Sequence, residues 1–471
     1  MIIINRSKQI ILTIIITCQL MVILDASIMV TALPEIGRTL HLTTANLTWV
    51  QNAYILAFGG LLLLGARAGD ILGRRKMFSV GIALFTLASI LVGLAQSAEF
   101  LLITRALQGL AAAIATPSAL ALLSVTFIEA KERTKAIALY SAVAGAGASI
   151  GLILGGILTD TISWRVGMFL NVPIGIALLI MIPRYLKETE KNTGHFDLMG
   201  ALTSVIGITG LVYGFVQAAA KGWSNLETLL SLTIGLVLLV AFVFIEARAK
   251  QPITPLRLFS SRQRSGAYLG RFLFLGAIFS LYFFIPQFLQ KVLGFSSFES
   301  GLAFLPLTIV NFGMMYLMPW LIAQFGNLKV LTTGLIIAII GTSWISQISA
   351  DSHFFPQIFF PLIVIGIGSG MVILPFTSFG LSGVDSRDSG AASGLINVAH
   401  QTGCSMGIAV LVTVFEAANG SADSTSGQHF AHAISVSIMG SAVFIAASLV
   451  VVLIWFLPAR RAVKKSVLET A

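Results

Sequence analysis

The sequence predicts an all-α integral membrane bundle of about fourteen transmembrane helices, built as two six-helix halves with two extra helices between them. Three observations predict it. The first is composition. The 471 residues are 56% hydrophobic and only 10% charged, with a mean hydropathy of +0.94. Water-facing domains carry about a quarter charged residues, so lipid must be the solvent of this chain. The second is run length. The apolar stretches reach the ~20 residues that a membrane-crossing helix needs. The roughly ten-residue alternating segments of a β-barrel are absent. The third is the placement of charge between the runs, described below.

Taken in order, the runs lie near 9–33, 45–66, 77–97, 100–126, 136–160, 166–183, 198–218, 229–246, 272–290, 300–323, 330–349, 355–380, 390–416 and 434–457. The first follows a short basic start, as a signal peptide would. No small-residue cleavage site follows it and the apolar run continues, so it reads as a retained span. Spans two and three are joined by ARAGDILGRRK, Ala66 to Lys76, and spans ten and eleven by AQFGNLK, Ala323 to Lys329. Gly73 aligns with Gly326 and Lys76 with Lys329. This degenerate internal repeat sets 1–190 as one half and 251–471 as the other, with two linker helices in 191–250. Repeated halves are a common build for secondary transporters. The basic, Pro-containing segment Arg248 to Arg264 leads into the second half, and Ala417 to Ala433 reads as a polar external loop. Cys18 and Cys404 both fall within spans and imply neither a disulfide framework nor a metal site.

Orientation comes from lysine and arginine. Twenty-four of the 29 fall in one set of loops: Arg6/Lys8, Arg67–Lys76, Lys131–Lys135, Arg184–Lys191, Arg248–Arg271, Lys329, Arg387 and Arg460–Lys465. Arg38, Arg165, Lys221 and Lys291 fall in the other, and Arg105 lies inside a span. Basic residues concentrate on the cytoplasmic side, which places both termini there. The net charge of +10 and pI near 9.8 then follow from topology and imply no nucleic acid.

Asp25 is the only charge in the run from Gln9 to Leu33. A carboxylate at that depth costs several kcal/mol unless it has a partner or faces a wet cavity. It either caps a kink or holds a neighbouring helix, or it functions; the transport setting favours function. Arg105 is the second intramembrane charge. At 1.5 Å per residue, Asp25 lies roughly 12 Å below the outer end of its span and Arg105 roughly 8 Å below the outer end of its own. The depths allow a direct or water-bridged pair. Arg105 packing the bundle through backbone carbonyls is the alternative. Arginine keeps its proton, so Asp25 would be the member that titrates.

On the thirteenth span Asn397, His400, Gln401 and Cys404 recur at helical spacing as a polar stripe. They either line a cavity or bond between helices. His400 and Glu416 are expected as possible proton or cation sites. Trp49, Tyr54, Tyr282, Phe283, Gln287, Asn311 and Met315 join Asn397 and Gln401 as substrate-contact candidates, because pockets for varied apolar ligands favour aromatic and methionine side chains. In the Ala66–Lys76 turn, Gly69 and Gly73 permit close approach. Asp70 is placed to accept from exposed helix amides or to pair with an arginine, and Arg74 to Lys76 anchor to anionic headgroups.

That turn resembles the hallmark loop between helices two and three of the major facilitator superfamily. LDASIMVTALP (Leu24–Pro34), RALQGLAAA (Arg105–Ala113), SWRVGMFLNVPIG (Ser163–Gly175) and GLINVAHQTGCSMGIAV (Gly394–Val410) resemble, in order, segments of its fourteen-span drug:proton antiporter branch. The resemblance implies the major-facilitator fold, with Gly69, Asp70, Gly73 and Arg74 as a conformational-switch loop. The chain also departs from the pattern. Ala66, Ala68 and Ile71 replace the usual Gly, Leu and basic residue of the loop. GLILGG (Gly151–Gly156) carries Leu152 where the antiporter motif has proline, and His400 stands where relatives carry arginine. Gly147, Gly151, Gly155 and Gly156 keep a small-residue face for close helix packing.

The expectation is therefore a proton-coupled multidrug exporter of amphipathic, cationic compounds, acting by alternating access. It is expected as a monomer in a bacterial inner membrane, with the proton gradient as energy source and no cofactor. Asp25 would bind proton and cationic substrate in turn, and Arg105 would tune it. The same-fold alternative carries a specific metabolite, siderophore or peptide. A membrane sensor or enzyme is the remote one, since the sequence offers no metal cluster, nucleophile–base pair or phosphate loop.

Overall fold

The computed structural model describes residues 6–189, 197–249, 252–384, 389–419 and 427–469. These form sixteen α-helices and one 3-10 turn (Leu256–Ser260), with no strand among the described residues. In order they are α1 (Arg6–Thr39), α2 (Thr44–Leu72), α3 (Arg74–Gly93), α4 (Ala98–Thr126), α5 (Ala130–Thr161), α6 (Trp164–Phe169), α7 (Asn171–Tyr185), α8 (Leu198–Lys221) and α9 (Leu226–Arg248). Then follow α10 (Arg262–Lys291), α11 (Ser297–Ala303), α12 (Leu305–Phe325), α13 (Asn327–Ile345), α14 (Phe359–Gly380), α15 (Ser389–Asn419) and α16 (Gly427–Glu469).

Thirteen helical segments are long and apolar enough to cross a membrane, counting α6–α7 and α11–α12 as one segment each. The remaining predicted span is α5, which is 32 residues long and includes the apolar stretch Gly147–Thr161. All fourteen predicted runs thus have a helix. The expected boundaries at 190/191 and 250/251 lie outside the described residues, as do Lys191, Lys250, Arg387 and residues 420–426 of the polar loop. Several helices extend past the predicted runs, the last most at its end, running Gly427–Glu469 against 434–457. The ninth helix begins at Arg262, ten residues before the expected start, where Arg264 is held by protein. Arg264 Nε donates to Leu258 O at 3.0 Å and its Nη1 to Gly383 O at 3.1 Å. Arg271, assigned from sequence to the basic linker, lies inside α10 and is buried.

The chain divides into two compact units. One comprises Met1–Thr209, Ala249–Ile253 and Leu289–Phe304; the other comprises Gly210–Arg248, Thr254–Phe288 and Leu305–Ala471.

In the first unit, α1 and α5 pack through the glycine face. A Cβ on Gly151 would lie 2.7 Å from Ser27 Cβ, and one on Gly155 would lie 2.7 Å from Ile28 Cα. Gly147 faces Leu20 and Ile23 of the same helix. Gly156 points elsewhere: a Cβ there would meet the backbone of Ser297 and Phe298 on α11. Leu152, at the position of the missing proline, is buried, and its backbone lies against Gly301 of α11. The Asp160 carboxylate accepts from the Ser297 and Phe298 amides at 2.9 and 2.7 Å, closing the start of α11. An apolar cluster including Ile14, Ile15, Phe78, Ile82, Leu123, Phe127 and Ile182 fills the space among α1, α3, α4 and α7.

In the second unit, α10 and α15 approach through Gly276 and Gly407, and Gly403 rests on the Phe272 backbone. Such small-residue contacts let backbones close in where lipid gives no hydrophobic drive. α9 is the least enclosed span, with Leu229, Leu230, Ile234, Leu236, Val237, Val240, Val243 and Phe244 all exposed. That is the surface a lipid-facing helix presents.

Candidate functional site

The first unit holds an enclosed polar cluster built from five helices. Asp25 of α1 is 0% exposed and Arg105 of α4 is 2% exposed. Arg105 Nη1 lies 2.8 Å from Asp25 Oδ2, a direct ion pair. The other carboxylate oxygen, Oδ1, accepts from Gln108 Nε2 at 2.6 Å and from Asn171 Nδ2 at 2.9 Å. Arg105 is equally enclosed. Nε donates to Val50 O of α2 at 3.1 Å, and Nη1 also donates to Gln108 Oε1 at 2.6 Å. Its guanidinium carbon stands 4.5 Å from the centre of the Tyr54 ring, within reach of a cation–π contact. Ser89 Oγ of α3 accepts from Gln108 and Asn171 at 2.9 and 3.3 Å.

A buried ion pair holds only when its remaining lone pairs and protons are satisfied, and here both carboxylate oxygens and the Nε and Nη1 of Arg105 have partners. Arg105 and Gln108 sit three apart on one face of α4, so a single helix supplies the charge and the amide that bridges it to Asp25. Asn171 is the first residue of α7, just past the α6–α7 break at Leu170, where the chain turns it toward Asp25. Gln108, Asn171 and Ser89 were not singled out in the sequence. Two of them stand in the quoted segments RALQG and FLNVPIG. An amide inside an apolar run was the available signal.

The cluster as found is matched to an ionised Asp25. All three neighbours present donors to it. A protonated carboxyl must also donate, and the acceptor beside it is Asn171 Oδ1, buried with no partner among the described residues. Rotating that amide would turn an acceptor toward Asp25.

The α2–α3 turn is the second predicted feature. One residue, Gly73, separates the two helices, with φ 106° and ψ 128°, a backbone region essentially confined to glycine. Asp70 pairs with Arg74 at 2.9 Å. The exposed amides of α3 are taken by a different acid: Glu188 Oε1 accepts from Arg75 N at 2.9 Å and Oε2 from Lys76 N at 3.1 Å. Thr189 Oγ1 accepts from Arg74 N at 3.3 Å. A carboxylate at a helix N-terminus is favoured by the helix dipole. Gly69 lies against Ser118 of α4. The repeat turn has the same one-residue form, with Gly326 at φ 79° between α12 and α13, but nothing stands within 4 Å of a Cβ built there.

The second unit holds a different arrangement. Arg271 is 7% exposed. Nη1 donates to Thr377 Oγ1 at 2.7 Å and lies 3.5 Å from Ile373 O, both on α14. Nη2 lies 3.4 Å from His400 Nδ1 on α15. His400 therefore faces a cation, which bears on its expected role as a proton or cation site.

The other predicted contacts scatter. Tyr54 belongs to the Asp25 cluster. Gln287 is buried and donates to Phe283 O of its own helix at 3.1 Å. Asn311 joins α12 to α14 through Ser369 Oγ at 2.7 Å. Asn397 is exposed and donates to Ser393 O. Trp49, Tyr282, Gln401 and Glu416 are half-buried.

Comparison with known proteins agrees with this architecture. The family model described as Major Facilitator Superfamily matches residues 15–408. The chain is 37% identical over 436 residues to the cephamycin export protein CmcT of Amycolatopsis lactamdurans, covering 92% of this chain and 89% of that protein. It is 35% identical over 452 residues to the puromycin resistance protein pur8 of Streptomyces alboniger, covering 94% and 89%. Among solved structures, a bacterial homologue of the human lysosomal transporter Spinster, in an inward-facing unoccupied state, superposes with a TM-score of 0.70 at 16% identity. That match covers 96% of this chain and 97% of that one, a likeness of fold.

Proposed function

The chain belongs to the Major Facilitator Superfamily, and from that premise we propose that it is a proton-coupled exporter of amphipathic small molecules. Membership makes it a multi-pass membrane transporter rather than an enzyme. The finer reading is of a fourteen-span drug:proton antiporter working by alternating access in a bacterial cytoplasmic membrane. It acts as a monomer with both termini cytoplasmic, two six-helix halves and two inserted helices. The export and resistance proteins it resembles support the direction, and the basic-residue asymmetry supports the orientation.

The observation that carries the coupling is the enclosed Asp25 cluster. Asp25 is a titratable group at membrane depth whose three donors come from two other helices, α4 and α7. Protonation removes its charge, frees Arg105 from its partner and demands an acceptor where the shell offers donors. Asn171 supplies that acceptor by rotating its amide. The shell therefore has two hydrogen-bonding arrangements, one for each protonation state, and a conformational equilibrium linked to it shifts with the proton. Asp25 in the ionised arrangement has its charge matched by Arg105, so it has no net charge to offer a cationic drug. We assign it to the proton and place recognition of substrate charge elsewhere.

The test is uptake by everted membrane vesicles. An imposed gradient, acid inside, should drive accumulation of a fluorescent amphipathic substrate, and a protonophore should abolish it. Accumulation indifferent to both would remove the proton from the account.

A further inference from the structure

The export reading leaves one charged group unused, the guanidinium of Arg271. It is buried in an apolar helix bundle and takes part in no ion pair among the described residues. Its Nη1 is held by Thr377 and Ile373 of α14. Its Nε is buried without a hydrogen-bond partner among the described residues. A guanidinium inside a membrane protein ordinarily pairs with a carboxylate or faces a pathway, and five N–H donors in a fixed fork match an oxyanion.

His400 adds to this. Its Nδ1 stands 3.4 Å from Arg271 Nη2. A nitrogen facing that cation acts as the acceptor, which leaves the proton on Nε2 as a second donor. The cluster thus presents one positive charge and free donors, with no acidic group in an ion pair with it among the described residues. Beside it lie surfaces suited to the rest of an amphipathic molecule. The Phe279 ring stands edge-on to His400 at 5.9 Å and packs on Tyr282 at 6.2 Å. Asn397, one turn before His400, is exposed, and Ile373, whose carbonyl faces Arg271, is 37% exposed. The charge therefore lies just beneath an accessible surface.

We propose that Arg271 and His400 form an anion-binding site that takes the carboxylate of an amphipathic organic anion or zwitterion, with Phe279 and Tyr282 against its apolar body. The inference rests on the transporter reading and names the substrate class for it. It differs from a cation site: a lipophilic cation at His400 would meet the Arg271 charge.

The test is binding to purified full-length protein in a neutral detergent, read by thermal shift with three probes on one aromatic scaffold. These are 2-naphthoate, its methyl ester and 2-naphthylmethylammonium. The carboxylate should stabilise the wild type at tenfold or more lower concentration than the ester, and the ammonium should bind no better than the ester. Arg271→Gln should erase the preference for the carboxylate and leave the ester unchanged. Arg271→Lys keeps the charge without the fork and should retain part of the preference; it also serves if the Gln variant does not fold. Equal binding of all three probes, or preference for the ammonium, would overturn the proposal. Phosphatidylglycerol forms a further arm. If it stabilises the wild type through Arg271 while naphthoate has no effect, the cluster is a headgroup site and the substrate assignment is wrong. No gradient is used, so failure of proton coupling at Asp25 leaves this outcome untouched.

Discussion

Arg105 and Arg271 are the same side chain in two different electrostatic settings. Arg105 has a carboxylate at 2.8 Å, an amide, a backbone carbonyl and an aromatic face. Arg271 has a hydroxyl, a carbonyl at the limit of bonding distance and a histidine nitrogen, with no carboxylate paired to it among the described residues. A charge buried in lipid must be compensated by something. Where the protein supplies the whole compensation, the cluster is closed and only a proton changes it. Where the compensation is incomplete, the missing partner is a ligand. The difference separates energy coupling from substrate recognition, and each half of it can be broken by mutation.

The largest effect is expected from Arg105→Gln. It leaves Asp25 as a buried charge without its partner, a change that costs about 3–5 kcal/mol. Thermal unfolding in detergent should show a deep loss of stability. The double variant Asp25→Asn/Arg105→Gln should recover most of it, because both charges leave together. If the double variant were no more stable than Arg105→Gln, the pair would not be the compensating unit. Arg271→Gln sharpens the comparison from the other side. Removing an uncompensated cation should leave stability unchanged or raised in the same assay. A loss as deep as that of Arg105→Gln would show that Arg271 is structurally compensated after all.

How much of this contrast was legible in the sequence depended on the kind of contact. Asp25 and Arg105 stood out because each is an isolated charge in a long apolar run, and helical rise alone put them at similar depth. Arg271 did not. It lies about 14 Å into α10 at 1.5 Å per residue, yet it follows Arg262 and Arg264 so closely in sequence that hydropathy merged it with the linker. Its burial depends on Thr377 and His400 from distant helices, and no local pattern encodes that. The amides of Gln108 and Asn171 were hidden in the same way: each is neutral, and its meaning appears only when the fold brings it to Asp25. The α2–α3 turn was half legible. Gly73 was legible, and an arginine partner for Asp70 was one of two readings, whereas Glu188 reaches the start of α3 from more than a hundred residues away.

A third prediction concerns the shell. Asn171→Leu keeps the bulk and removes both a donor to ionised Asp25 and the acceptor for its protonated form. A lost buried hydrogen bond costs about 1–3 kcal/mol, so proton-driven accumulation should fall on the order of tenfold, with downhill substrate exchange less affected. Equal loss of both would make Asn171 a packing residue.

The smallest effect separates the two repeat turns. Gly73→Ala must adopt a backbone region that L-residues avoid, and its Cβ would lie 2.7 Å from the Glu188 carboxyl carbon. Gly326→Ala meets the strain alone, roughly 1–3 kcal/mol. Transport by Gly73→Ala should therefore fall further than by Gly326→Ala. The reverse order would indicate that Glu188 yields freely and the first turn is no more constrained than its repeat.

The central claim is that Asp25 carries the proton. The most direct measurement compares wild type and Asp25→Asn in proteoliposomes, with the same dye followed under an imposed pH gradient and in gradient-free exchange. Asparagine keeps the shape and cannot titrate. The account predicts that Asp25→Asn still exchanges dye across the membrane but no longer accumulates it against its concentration gradient. Accumulation by Asp25→Asn at the expense of the pH gradient would contradict it.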